Sequence, residues 1–247
     1  MDNIRMLSAG EQGLVVEFGD VVDQDINFKV HRLTDLINIH LKDDIREVVP
    51  TYRSLLLYFN PLSITRAVLK DRIMGLVAQM EEVIDQKKNA RVIYIPVCYD
   101  DEFGPDLSFV ATYNGLTKQE VIDIHTSIPY LIYMLGFTPG YAYLGGMSEK
   151  IATPRLEVPR TKVPAGSVGI GGAQTAFYPI ESPGGWQLIG RTPIKTFDFS
   201  LAQPFLFHAG DYLHFQQVNR EQYENIFAEV KAGLYQSVIG DLEGGQP

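Results

Sequence analysis

Residues 136–190 hold 11 of the chain's 22 glycines and 6 of its 14 prolines. Proline lacks the N–H that an inner helical turn needs, and glycine gives up the most freedom when held in one, so helices do not persist there. What remains is a set of short runs between breakers. Residues 167–170, 175–178, 186–189 and, further on, 211–215 read as strands of a small closed β-barrel.

Upstream the periodicity is of two other kinds. A β-type run at 14–18 stops at Gly19-Asp20 and is followed by Ile26, Val30, Leu33, Ile37 and Leu41, one apolar stripe on a helix. Residues 45–51 and 54–59 form a strand pair. Ile64, Val68, Ile73, Leu76, Val77, Met80 and Ile84 make a second helical stripe, and 91–98 a closing strand. The order β-α-β-β-α-β predicts an α+β, ferredoxin-like first domain over residues 1–100, with both helices on one face of a four-stranded sheet. A second domain, 101–247, opens with a helix over 106–113. Thr117-Lys-Gln-Glu120 then forms a capping box ahead of a helix ending near His125. A terminal helix over 221–232 and a frayed tail over 240–247 complete the expectation.

Apolar residues make up 45% and charged residues 21% of the 247, an ordinary globular balance. The net charge of −9 opposes binding to nucleic acid or anionic lipid, which requires clustered Lys and Arg. No apolar run approaches the roughly 20 residues of a membrane helix. Cys98 is the single cysteine, and the start Met-Asp-Asn-Ile-Arg has no apolar leader core, as expected of a cytoplasmic protein.

Charge is unevenly spread. Residues 151–195 carry Arg155, Arg160, Lys162, Arg191 and Lys195 against Glu157 and Glu181, a local +3 that leaves −12 elsewhere. Such an island suits a small anion or an acidic patch on a partner, because Arg presents a planar fork to carboxylate or phosphate oxygens, or it is barrel-surface charge. Inside it, the turn from Val163 through Gly166, Ser167 and Gly169 to Gln174 offers backbone N–H groups, a hydroxyl and an amide to an anion, or else simply connects strands. It is neither a nucleophile elbow, having Ala165 where glycine is required, nor a dinucleotide loop, having Gln174 at the last glycine. Tyr141 and Tyr143 stand among four glycines, and Tyr178 and Trp186 repeat the theme, as pocket wall or as core. His31, His40, His125, His208 and His214 lack metal-pair spacing, so no metal is predicted. His125, at a helix end leading into the glycine-rich stretch, is a candidate acid or base. No P-loop and no biotin-carrying Met-Lys pair is present.

Taken in order, Gly136-Phe-Thr-Pro-Gly-Tyr-Ala-Tyr-Leu-Gly-Gly146, Pro154-Arg155, Pro159-Arg160, Val163-Pro-Ala-Gly-Ser-Val168, Tyr178-Pro179, Ser182-Pro-Gly-Gly-Trp186 and Gly190-Arg-Thr-Pro193 closely resemble the B-subunit family of bacterial 5-oxoprolinases, also called allophanate hydrolase subunit 1 or the sporulation-kinase-inhibitor family. Tyr141 and Ala142 depart from its usual Phe and Pro. The resemblance implies an N-terminal α+β domain, a cyclophilin-like β-barrel, partner subunits C and A, and ATP used by the complex to open 5-oxoproline to glutamate. The cations and hydrogen bonds that such a reaction needs make Arg155, Arg160, Lys162, Gly166, Gln174, Tyr178 and Arg191 candidates for substrate or phosphate binding, and His125, Tyr141 and Ser167 candidate catalytic residues, through proton transfer or hydrogen bonding. Two other activities are implied by relatives: a carboxyltransferase-type role in urea or allophanate metabolism, and inhibition of a sensor histidine kinase.

Overall fold

The computed structural model describes residues 4–82, 91–136 and 138–242. Ile84 of the second helical stripe, Phe137, and residues 243–247 of the expected tail lie outside them. The chain divides into two compact units, between Lys88 and Asn89.

The first unit runs β1 (Arg5–Ala9), β2 (Gly13–Glu17), α1 (Gln24–His40), β3 (Ile45–Pro50), β4 (Ser54–Phe59) and α2 (Arg66–Glu82). Its antiparallel sheet has the order β1-β2-β4-β3. Asp23 starts α1 by accepting from the backbone N–H groups of Asp25 and Ile26 at 2.9 and 3.1 Å. Val30, Leu33 and Ile37 then meet Leu14, Val16, Leu55, Leu57 and Phe59 from the sheet and Leu69 and Ile73 from α2, all buried in one core. Full burial of each such side chain contributes roughly 1.5–3 kcal/mol.

One expected strand is absent from this sheet. Residues 91–97 pair elsewhere, and the edge beside β2 that they were to close is held by β1, a strand that the sequence pattern does not single out. The expected boundary near residue 100 therefore lies about ten residues too late.

The second unit contains β5 (Arg91–Val97), α3 (Leu107–Tyr113), α4 (Lys118–Thr126), β6 (Tyr130–Leu135), β7 (Ala142–Gly145), β8 (Arg160–Val163), β9 (Ser167–Gly171), β10 (Gln174–Phe177), β11 (Ser182–Gly184), β12 (Gln187–Arg191), β13 (Tyr212–Gln217), α5 (Arg220–Ala232) and β14 (Ile239–Asp241). They form sheets ordered β14-β5-β13-β6-β7, β10-β9-β12 and β11-β8. β5 lies parallel to β13 in register Ile93↔Leu213, while β14, where a frayed tail was expected, pairs antiparallel with β5. Just past β5, Cys98 and Arg191 exchange both backbone hydrogen bonds at 2.9 Å and tie the first of these sheets to β12. The capping box at Thr117 and Glu120 is formed as expected, opening α4. No helix among the described residues is long and apolar enough to cross a membrane.

Candidate functional site

β9 is buried along its whole length, and its alternating glycines leave one face of the sheet bare. Trp186 lies on that face: a Cβ at Gly171 would sit 2.7 Å from the indole ring. Val163, Ala176, Tyr178 and Leu188 complete a small apolar cluster, with half-buried Tyr141 packed against it. The Tyr141 and Tyr143 rings meet edge to face at 5.1 Å. The strand's glycines accommodate an indole, and its backbone is committed to pairing with β10 and β12. The β9 backbone, expected to cradle an anion within residues 163–174, is therefore not open to one, while the Ser167 hydroxyl of the same stretch is left without a partner among the described residues. Gly166 and Gly172 are the turn residues, at φ +79° and +67°, and the Gly166 N–H is donated to the Tyr178 carbonyl.

The positive island is largely neutralised. Arg160 donates both bonds of one fork arm to Asp106, at 2.8 and 2.9 Å, and a third to the Trp186 carbonyl. Asp106 also accepts the Leu188 N–H at 2.6 Å. That explains why this aspartate, standing at the start of α3, caps nothing there. Lys162 pairs with Glu181 at 3.1 Å, both exposed, and Lys195 with Asp198 at 3.6 Å. Among the described residues neither Arg155 nor Arg191 has a carboxylate in ion-pair range. Arg155 is exposed, its guanidinium 5.5 Å from the Trp186 ring. Arg191 is half-buried and stacks on Phe103 at 4.8 Å.

His125 does not join this surface. It is fully enclosed, 4.6 Å from the Phe215 ring, with Nδ1 2.7 Å from the Tyr99 hydroxyl and Nε2 2.8 Å from Thr175 Oγ1. The Thr175 hydroxyl donates to the Gly169 carbonyl at 3.2 Å, so it accepts from Nε2–H. Nδ1 then accepts from Tyr99, and burial holds the imidazole neutral, with its pKa lowered to about 3. A ring with both nitrogens occupied and no solvent contact is a core element, not an acid or base for a ligand.

Tyr178 is buried, and its phenol is raised by desolvation against the opposing pull of the Trp186 backbone N–H and of Arg155 and Arg160. Gln174 opens β10, half-buried, opposite Gly171. Ser167 is fully buried, and among the described residues its Oγ has no hydrogen-bond partner, nor has Arg191 Nε. No group of three or more metal-ligating side chains forms among the described residues. Sequence reasoning missed Asp106, which lies 54 positions from the arginine it neutralises, and Phe103, the ring beneath Arg191. Only the unused capping aspartate left a signal.

What survives is a compact aromatic cluster around Trp186 with exposed Arg155 beside the indole and, at a separate cluster, Arg191 on the Phe103 ring, neither arginine having a counter-ion among the described residues. Each pairs a cation with an aromatic face and can bind an anion.

A family model described as "Carboxyltransferase domain, subdomain C and D" matches residues 4–207. The 5-oxoprolinase B subunit of Bacillus subtilis is 40% identical over 224 residues, covering 87% of this chain and 92% of that protein. A conserved uncharacterized protein from Pyrococcus horikoshii has a solved structure that is 45% identical, covering 89% of this chain and all of that one, with a TM-score of 0.52. The solved structure of TTHA0988 is 33% identical over 84% of this chain with a TM-score of 0.74, and there the chain spans 40% of the longer protein. The chain thus belongs to the carboxyltransferase subdomain C and D family, in its group of 5-oxoprolinase B subunits.

Proposed function

We propose that this chain is the B subunit of a multi-subunit, ATP-dependent 5-oxoprolinase that opens 5-oxo-L-proline to L-glutamate in the cytoplasm. The observation that carries the reading is the 40% identity over nearly the full length of a protein of that name. In this reading the strands of the second unit make up the cyclophilin-like barrel, which the Cys98–Arg191 pairing between sheets supports.

The chemistry explains what such a surface is for. A lactam carbonyl is a poor electrophile because amide resonance stabilises it, so the γ-phosphoryl group of ATP is transferred to the carbonyl oxygen and ADP departs. Water then adds to the activated carbon and the ring C–N bond breaks, nitrogen taking up a proton. A second water releases phosphate and leaves glutamate. Such catalysis is mostly positioning and charge stabilisation. Arg155, beside the wall of Tyr141, Tyr178 and Trp186, and Arg191, on the Phe103 ring, are the cations left open to an anion, and Arg160 holds that wall in place through the Trp186 carbonyl and Asp106. The A and C partners supply the remaining groups, and the chain by itself turns nothing over.

Mixed with its A and C partners, the chain is expected to release glutamate from 5-oxoproline only when ATP is present, measured by coupled glutamate assay. Absence of ATP-coupled glutamate overturns the reading. The carboxyltransferase description of the family favours one other activity, carboxyl transfer to urea. Biotin-dependent carboxylation of urea by the same mixture, supplied with a carrier protein, would select it.

A further inference from the structure

Ser167 and Arg191 are cross-strand partners in the β9–β12 pair. The neighbouring backbone bond runs from the Thr192 N–H to the Gly166 carbonyl, and Arg191 spends its own N–H and C=O on Cys98. Ser167 and Arg191 therefore form a non-hydrogen-bonded pair, the kind whose side chains stand closest on one face, with Cβ atoms about 4.5–5.5 Å apart. Both carry an enclosed polar atom without a partner among the described residues, Ser167 Oγ and Arg191 Nε. Buried polar atoms are nearly always paired, so two orphans side by side point to a missing third group.

Its chemistry follows from theirs. Arg Nε only donates, and a serine hydroxyl is free to do so, so the missing group is an acceptor. Arg191 has no carboxylate in ion-pair range among the described residues, so that acceptor is an anion. Arg220 provides an internal contrast. It stacks on the same Phe103 ring at 4.4 Å but is saturated by Glu102 at 2.7 Å and Glu224 at 2.6 Å. The Phe103 ring and the Cys98 pairing fix the Arg191 fork, and its stem crosses Gly166, where a Cβ would lie 3.4 Å from Arg191 Cγ.

We propose that Ser167 Oγ and Arg191 Nε together form a subsite for a single oxyanion. The 5-oxoprolinase reading, on which the choice of ligand rests, supplies two sources for it, the carboxylate of the lactam acid and a phosphoryl group. The serine is thereby a hydrogen-bond donor and not a covalent nucleophile.

Binding is measured on the purified full chain by calorimetry with 5-oxoproline, with its carboxamide, and with inorganic phosphate. The wild-type chain is expected to bind an oxyanion, with Arg191→Lys weakening it roughly 10–100-fold and Ser167→Ala about 3–10-fold. Weakened binding of 5-oxoproline, with its carboxamide failing to bind, identifies the carboxylate, and weakened binding of phosphate alone identifies the phosphoryl group. No oxyanion binding, or equal binding by wild type and both variants, overturns the subsite. So does a Ser167→Ala chain that is more stable to heat with unchanged affinity, because the hydroxyl is then idle. The assembled complex separates this proposal from the activity. Normal turnover with unchanged KM for both substrates in both variants removes the subsite and leaves the activity standing. Anion binding that follows the variants, without glutamate release, does the reverse.

Discussion

A proton is what His125 cannot accept without breaking its surroundings, since Nδ1 takes the Tyr99 hydroxyl and the ring is sealed from water. The unfolded histidine titrates near 6.5 and the folded one at about 3. Below pH 6.5 the unfolded chain therefore binds a proton that the folded chain refuses. Stability from this group is complete above pH 6.5 and falls between 6.5 and 3, with a slope of up to about 1.4 kcal/mol per pH unit. Urea unfolding from pH 7 to pH 4 should show that slope, flattened in His125→Phe; identical slopes would refute the assignment. At pH 7 the same variant should lose about 2–4 kcal/mol, because the Tyr99 and Thr175 hydroxyls lose their shared partner. Position at a helix end was legible in the sequence, but enclosure was not. Tyr99, Thr175 and Phe215 come from three other segments, and nothing local to His125 announces them.

Elements show the same division between local and distant causes. The Thr117–Glu120 box and α5 were readable because caps and helical stripes are written within a few residues. The pairing of Arg160 was not, because Asp106 reaches it only after α3, β8 and β12 assemble. Arg160→Met should accordingly cost about 2 kcal/mol or more in denaturant unfolding, since it strands a largely buried carboxylate. Lys162→Met, which loses only an exposed pair, should stay within about 0.5 kcal/mol, and equal losses would contradict the distinction. The glycines of β9 were visible as composition, but their purpose needed the indole above them. Gly171→Ala should displace Trp186, lowering stability by about 1–3 kcal/mol. Trp186 is the sole tryptophan, so intrinsic emission should shift to the red as the ring gains solvent, and an unmoved maximum would count against the packing.

For the whole molecule, the decisive feature is which unit owns β5. Its residues show their strand character in the sequence, but pattern does not name a partner, and its partners β13 and β14 lie more than a hundred residues away. A fragment ending at Lys88 retains the first unit's core and should unfold cooperatively. One that runs on to Tyr99 adds an unpaired strand bearing Val92, Ile93, Ile95 and Val97, and should aggregate, which sedimentation of the two fragments would test. The same pairing sets an order of events during synthesis. The first unit can close as soon as its residues leave the ribosome. The strand that follows must wait, apolar and unmatched, while the ribosome adds the rest of the chain at roughly 5–20 residues per second. A nascent-chain chaperone that covers this one short segment would shield the molecule through its longest vulnerable interval.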